Sequence, residues 1–293
     1  MKQLSIEDLS PASSDYLESQ QDEINQEITF QSRTEKAGVL WNKKNGTNNG
    51  RAAFTEIRTK LVAACVGVEI CNYCENNEAT DIEHIFPKSH FPDKTFLWGN
   101  YLLACKICNT TYKSDNFRVF VATNNDNYLD LKRGGAAPPS DDSVLLNPRE
   151  ENPMDFILLD ITGTTFRFVV NPNCDERGRE RARYTIELLA LNSRDALVAG
   201  RKAAASYLVS RLEKYVQIKE ALSLDGLAEI VTDTEFVHNE NGFEAEKIRL
   251  MDNVKREILH YSHPTVWKEL QRQRKRLNKT GSLFNRAPEA LEW

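Results

Sequence analysis

Apolar positions in the second half of the chain recur every three to four residues, which is the period of an amphipathic helix. Between residues 194 and 222 this period predicts one long helix. Its apolar face comprises Leu197, Arg201, Ala204, Leu208, Leu212 and Val216. Residues 244–260 and 264–278 repeat the pattern, and Phe54, Ile57, Leu61 and Val62 give residues 51–64 a similar face. The chain is therefore predicted to be mainly helical.

Short strands and a linker complete the expected organisation. Residues 157–160 and 165–170 have strand character on either side of Thr162–Gly163, which predicts a hairpin. Residues 132–143 (KRGGAAPPSDDS) have the composition of a linker. We expect an α+β fold with an N-terminal helical arm (1–64), a cysteine-rich module (65–131), the linker (132–143) and a mostly helical C-terminal domain containing the hairpin (144–293).

The 293-residue chain has the composition of a water-soluble globular protein, with 40% hydrophobic and 28% charged residues. No stretch approaches the roughly 20 apolar residues that span a bilayer. The first 23 residues are polar and acidic and have no apolar signal core. We therefore expect a cytoplasmic protein that does not bind membranes.

Charge is unevenly distributed along the chain. The net charge is −5, which disfavours the approach of a polyanion such as DNA. Residues 1–31 carry seven acidic side chains and one lysine, whereas residues 32–60 carry seven basic side chains and two acidic ones. Local fields decide where phosphate docks, but any single charge run is also typical of a solvated helix face.

Four of the six cysteines form two C-x-x-C pairs, Cys71/Cys74 and Cys105/Cys108, separated by thirty residues. Two such pairs can supply four thiolates to a tetrahedral zinc ion, and a closed site of this kind stabilises a small module that lacks a large core. A redox dithiol is the alternative for a single pair. The second pair favours structural zinc.

A histidine and two asparagines lie among the cysteine pairs. His84 follows two acidic residues in the segment Asp81–Ile82–Glu83–His84, and Asn100 and Asn109 come after it. This His…Asn…Asn series between C-x-x-C pairs resembles the HNH endonuclease superfamily, in its zinc-stapled, four-cysteine branch. The resemblance implies a module in which a β-hairpin and a helix hold one catalytic metal ion (a ββα-metal fold).

The resemblance also assigns roles to five side chains. It implies that His84 is the general base and that Glu83 and Asn109 ligate the catalytic metal. It implies that Asn100 holds the loop that carries the base. Lys113, in the Cys-Asn-x-x-x-Lys ending, would bind the scissile phosphate or stabilise its charge.

The expected catalytic ion is Mg²⁺ or Mn²⁺, since Mg²⁺ prefers oxygen ligands and retains several waters. A regular strand, however, places Glu83 and His84 on opposite faces. Asp81 shares the face of Glu83 and is an alternative ligand. We expect a second histidine, His90, at the surface, and we expect the nearby aromatic residues to form the core of the module: Phe86, Phe91, Phe96, Trp98 and Tyr101.

A looser similarity covers residues 65–210, through LLNPREENPMDFI and RARYTIELLALNSRDALVAGR. These segments resemble the HNH subunits of Septu-type and retron-associated anti-phage systems, which implies a DNA-cutting effector paired with an ABC-type ATPase. Two alternatives stay open at this point. One is a stand-alone restriction-type HNH endonuclease. The other is an inactive zinc-knuckle module that binds nucleic acid or protein.

Overall fold

The computed structural model describes residues 1–66, 68–122, 127–163, 165–232, 237–238, 240 and 242–293. Its α-helices within these residues are α1 (Pro11–Asn25), α2 (Phe30–Lys43), α3 (Asn48–Ala63), α4 (Glu176–Leu188), α5 (Asp195–Glu220), α6 (Leu224–Ile230), α7 (Phe243–Leu259), α8 (Pro264–Gln273) and α9 (Asn278–Arg286). Its strands are β1 (Asp81–His84), β2 (Tyr101–Ala104), β3 (Phe117–Phe120), β4 (Tyr128–Leu131), β5 (Ile157–Leu159) and β6 (Phe168–Val170). The strands pair as β1–β2, β3–β4 and β5–β6. The predicted mainly helical α+β fold is confirmed.

The chain divides into two compact units. The first comprises residues 1–158 and 168–197, and the second comprises residues 159–167 and 198–293. The candidate site lies entirely within the first unit. The predicted division into four parts stays a prediction.

The three N-terminal helices pack against the β1–β2 hairpin. They share one buried cluster with it, to which α1 contributes Leu17 and Ile24, α3 contributes Phe54, Ile57 and Leu61, and β2 contributes Tyr101 and Leu103. Burial of these apolar side chains is the main stabilising contribution to such a cluster. Residues 1–64 therefore form one wall of the cysteine-rich module.

Helix α3 begins three residues earlier than its apolar periodicity predicts. The Thr47 hydroxyl accepts a hydrogen bond from the backbone N–H of Gly50 at 3.0 Å and caps the helix. Gly50 also lies where α1 and α3 approach closely, since a Cβ there would be 2.7 Å from the Tyr16 hydroxyl. The polar loop before α3 is correspondingly shorter than its composition suggests.

Backbone pairing and an asparagine help to hold the remainder of the first unit. The predicted linker pairs with β3, since the Phe120 N–H donates to the carbonyl of Asp142 at 2.8 Å. The predicted hairpin is present as β5 and β6, in shorter form. The Asn192 amide accepts from Phe168 N–H (2.8 Å) and donates to its carbonyl (2.7 Å), so it clamps β6.

In the second unit, α5 confirms the predicted long helix. All six positions of its predicted apolar face are buried, Arg201 included. The guanidinium of Arg201 donates to the carbonyl of Phe166 at 2.9 Å, which satisfies part of this buried charge. The helix predicted over 264–278 instead ends at Gln273, and α9 begins at Asn278.

Candidate metal centre and active site

The candidate site is built on the β1–β2 hairpin and the helix that follows it. β1 and β2 are antiparallel, with Glu83 opposite Leu102 and His84 opposite Tyr101. Residues Ile107–Lys113 form a π-helical turn, closed by a hydrogen bond from Ser114 N–H to the carbonyl of Asn109 (2.6 Å). π-Helical turns are rare and occur frequently at functional sites.

Two side-chain pairs join the hairpin to this helix. The Asn109 amide donates to the Asp81 carboxylate at 2.9 Å, and the Lys113 ammonium lies 2.6 Å from Glu83 Oε1. Lys113 also donates to the carbonyl of His84 at 2.7 Å. Strand alternation places Asp81 and Glu83 on the same face, opposite two helix residues four positions apart. Asn109 thus contacts Asp81, and Glu83 contacts Lys113.

The Glu83–Lys113 pair is buried. The side chains of Glu83 and Lys113 are 7% and 1% exposed. Burial raises the pKa of the Glu83 carboxyl, and the adjacent Lys113 ammonium opposes that shift. A buried carboxylate stays ionised only where a cation compensates it, and here Lys113 supplies that charge.

His84 lies on the other face of β1, as strand geometry predicts. Its ring packs 4.1 Å from the Trp41 ring of α2 and 5.3 Å from the Tyr101 ring, between centroids. Burial lowers the pKa of His84 to about 3, so the ring is neutral at pH 7.

The tautomer of His84 follows from its hydrogen bond. Nε2 lies 2.9 Å from the carbonyl oxygen of Thr95. A carbonyl only accepts, so Nε2 carries the hydrogen and Nδ1 carries the free lone pair. A neutral imidazole with a defined lone pair has the protonation state of a general base.

Asn100 holds the turn after β1 at four points. Its side-chain oxygen accepts from Phe86 N–H at 2.7 Å, and its amide donates to the carbonyls of Phe86 (3.0 Å) and Lys94 (2.8 Å). Its own carbonyl accepts from Ile85 N–H at 2.9 Å. These contacts are of the kind that the resemblance implies for the middle asparagine.

The four cysteines Cys71, Cys74, Cys105 and Cys108 form one buried cluster. Their sulfur atoms all lie within 4.8 Å of one another, and Cys74 Sγ is 3.9 Å from Cys105 Sγ. Four sulfurs about 2.3 Å from a tetrahedral zinc lie roughly 3.8 Å apart, which these separations fit. Among the described residues this is the one group of three or more His, Cys, Asp or Glu ligands close enough to bind a metal ion.

The charge around the cluster also favours a metal ion. Burial raises the pKa of Cys71, and four buried thiolates within 4.8 Å of one another would repel each other without a cation. Arg194 Nη1 lies 3.3 Å from Cys108 Sγ, and Cys108 N–H donates to Cys105 Sγ at 3.4 Å. Such contacts stabilise metal-bound thiolates. Sequence reasoning missed Arg194, which lies 86 residues after Cys108 and carries no local signal.

Two predictions about neighbouring residues have different outcomes. The aromatic core is confirmed for Phe86, Phe91, Phe96 and Tyr101, which are buried, while Trp98 is half-buried. The predicted surface position of His90 is wrong. His90 is 3% exposed, and its Nε2 donates to the carbonyl of Asp115 at 2.8 Å. This hydrogen bond satisfies the N–H donor of the ring in the protein interior.

Comparison with protein families decides what kind of module this is. Residues 71–115 match the family model described as HNH endonuclease. The module is an HNH endonuclease domain. The predicted resemblance is therefore confirmed for the segment that carries both the cysteine cluster and the hairpin–helix pairs. Domains of this family hydrolyse phosphodiester bonds with divalent metal ions.

Two curated relatives extend the similarity beyond the HNH domain. The chain is 22% identical over 183 residues to the Septu protein PtuB of Bacillus thuringiensis, covering 60% of this chain and 58% of that protein. It is 24% identical over 175 residues to the Septu protein PtuB of Bacillus mycoides (strain KBAB4), covering 54% and 52%. The chain thus matches little more than half the length of these relatives. The predicted resemblance to Septu HNH proteins is confirmed as a weak similarity.

No solved structure matches the chain significantly. Across the part of the chain that the structure describes, every helix is too short or too polar to cross a membrane.

Proposed function

We propose that this protein is a metal-dependent endonuclease that hydrolyses DNA phosphodiester bonds. The observation that carries the proposal is the state of His84 within an HNH domain. It is neutral, its lone pair lies on Nδ1, and it is the last residue of a strand whose carboxylates contact the helix. His84 Nδ1 would take the proton of the attacking water.

The proposed ligands of the catalytic metal are oxygen atoms on the hairpin and the helix. Asp81 and Asn109 touch each other and are half-exposed, so they offer a carboxylate and an amide oxygen to an ion arriving with solvent. Glu83 is the family-implied ligand, but its carboxylate is buried against Lys113. A bound Mg²⁺ or Mn²⁺ would polarise the phosphodiester and stabilise the leaving oxygen.

Plasmid nicking in Mg²⁺ or Mn²⁺, with and without the ATPase partner, tests the proposal. The wild type should nick, and EDTA should stop it. Asp81→Ala and Glu83→Ala separate the two candidate carboxylates, because only loss of a ligand should raise the Mg²⁺ concentration needed for cutting. Cutting that persists in EDTA would refute metal dependence.

We also propose that the four-cysteine cluster holds structural Zn²⁺. All four thiols are buried, so the site would be closed, with no position for substrate. Elemental analysis should give close to one zinc per chain. A value near zero in protein purified without chelator would refute the assignment.

We further propose that the protein acts in the cytoplasm as the nuclease effector of an anti-phage complex with an ABC-type ATPase. The similarity to the two Septu proteins supports the anti-phage part of this proposal. Within the described residues, α1 offers an acidic docking surface. Asp15, Glu18 and Asp22 are exposed, and Ile28 just beyond the helix is 93% exposed. An apolar side chain with a charged rim is typical of an interface.

Removing residues 1–31 would not test this docking surface, because Leu17 and Ile24 belong to the core of the module. Charge reversal of Asp15, Glu18 and Asp22 to lysine avoids that problem. Co-purification of the ATPase should fall. A matched reversal of the exposed acids Asp225, Glu229 and Glu244 should leave it unchanged. Equal recovery with both variants would refute α1 as the docking surface.

A binding module without activity is the second candidate. It is favoured by the burial of His84, Glu83 and Lys113, each at most 5% exposed when the whole residue is counted, since substrate has to reach such groups. Under this alternative the wild type binds DNA but does not nick it under any metal or partner condition. A stand-alone restriction-type enzyme would instead nick without the ATPase.

A further inference from the structure

A half-buried lysine, Lys88, follows the candidate base by four residues. Two backbone hydrogen bonds close the turn that carries it, since the Pro87 carbonyl accepts from both His90 N–H and Phe91 N–H at 2.9 Å. The Asn100 side chain binds the backbone N–H and carbonyl of Phe86, two residues before Lys88. The position of Lys88 is thus set by the same contacts that hold the end of β1.

Lys88 lines a cleft of about 240 Å³ between α2 and the nuclease domain. Thr34 and Gly38 of α2 form one side, and Ser89, Asp115 and Arg133 contribute polar groups on the other. Asp115 is already engaged, since Ser89 donates to its Oδ1 at 2.8 Å and Arg133 lies 3.4 Å from its Oδ2. Among the described residues, no carboxylate lies within ion-pair distance of the Lys88 ammonium.

A half-buried ammonium without an ion pair is unfavourable for folding. Burial lowers the pKa of Lys88, partly offset by attraction to Asp115 and Glu83. Lys88 thus lies four residues after the candidate base, on the turn that follows β1, and its charge faces a cleft open to an anion.

We propose that Lys88 and Arg133 bind a backbone phosphate of the DNA strand that is cut at His84, and so position the scissile bond for the attacking water. The inference rests on the proposed nuclease function and adds a substrate-binding surface to it. Lys88 would act as a point charge inside the cleft. Arg133, whose side chain is 82% exposed, would reach the phosphate from the rim.

DNA binding measured against salt concentration tests the inference. We would titrate a fluorescein-labelled DNA duplex with full-length wild type, Lys88→Ala and Arg133→Ala in Ca²⁺, over a series of NaCl concentrations. Each substitution should weaken binding about tenfold at low salt. Each should also reduce the slope of log K against log salt by about 0.9, the value for one lost phosphate contact. Lys106→Ala is the control, since it removes an exposed lysine of the same domain and should change neither quantity.

Thermal unfolding separates a substrate-binding lysine from a structural one. The melting temperature of Lys88→Ala should equal or exceed that of wild type, because the substitution removes an uncompensated half-buried charge. Lys88→Arg should restore most of the salt slope. A lowered melting temperature with an unchanged slope would overturn the inference and assign Lys88 to the fold.

The remaining outcomes distinguish this inference from the proposed nuclease function. If wild type nicks DNA but Lys88→Ala and Arg133→Ala bind and nick normally, the inference fails alone. If wild type never nicks but the slopes change as expected, the nuclease function fails and the phosphate site stands. If wild type does not bind DNA, the inference is overturned.

Discussion

The four-cysteine cluster and the hairpin–helix site belong to one HNH domain, yet they are organised differently. The cluster converges on one point, with every sulfur within 4.8 Å of the others. The hairpin–helix residues instead divide between two faces of β1, with His84 against Trp41 and the carboxylates against the π-helix. A closed set of ligands is suited to a structural metal ion. The hairpin–helix residues lie on two faces of the strand, and some of them pair with one another. This arrangement is suited to a site that is completed by metal and substrate.

Cys105→Ser should have the largest effect on the protein, because it removes a ligand from the closed set. Structural zinc contributes on the order of 10 kcal/mol of folding free energy in small zinc domains, so losing one ligand should unfold the domain. Circular dichroism and elemental analysis would measure lost structure and lost zinc. Cys65→Ser, at a buried cysteine outside the cluster, is the control and should retain its zinc. A folded Cys105→Ser protein without zinc would contradict a structural role for the ion.

Glu83→Ala should destabilise the protein by about 3–5 kcal/mol, because it leaves the buried Lys113 charge uncompensated. Asp81→Ala should cost about 1 kcal/mol or less, since its contact with Asn109 is half-exposed. Urea unfolding would compare the two. Replacing Glu83 with Leu together with Lys113→Met should recover most of the loss. Equal destabilisation by the two single variants would show that the two pairs do not differ in burial as described.

His84 should make stability depend on pH. The pKa of His84 is about 3 in the folded protein and about 6.5 in the unfolded chain. Below pH 6.5 the unfolded chain therefore binds a proton that the folded protein does not bind. Stability is therefore lost as pH falls, by about 2 kcal/mol between pH 6.5 and 5. His84→Leu should lack this component when urea unfolding is compared at the two pH values. Parallel pH profiles would contradict burial of a neutral His84.

Arg194→Ala should have the smallest effect. Loss of a group that contacts a metal-bound sulfur typically weakens metal affinity about 10–100-fold, without unfolding the protein. Competition with a chromophoric zinc chelator would measure the change. Arg183→Ala, an exposed arginine on α4, serves as the control. Unchanged affinity would mean that Arg194 does not stabilise the cluster.

The sequence predicted best what depends on local spacing. Each C-x-x-C pair places two sulfurs close together, the β1–β2 hairpin between the pairs brings all four within 4.8 Å, and the alternation of a strand separates Glu83 from His84. The apolar face of α5 was predictable because one helix presents it. Each of these features follows from regular local geometry.

What the sequence did not predict depends on distant contacts. Trp41 covers His84 from 43 positions upstream, and Arg194 reaches Cys108 from 86 positions downstream. His90 is buried, and the carbonyl of Asp115, 25 positions downstream, accepts its hydrogen. The partner of Lys113 likewise depends on how closely the π-helix packs on the hairpin. None of these contacts has a periodic signal.

The most direct test of the central claim is plasmid nicking by His84→Ala in Mg²⁺, with zinc content measured on the same sample. If the two sites are separate, nicking should fall by about 10²–10⁴-fold, as expected for loss of a general base. Zinc should remain near one per chain. Undiminished nicking by folded, zinc-loaded His84→Ala would contradict the assignment of His84 as the base.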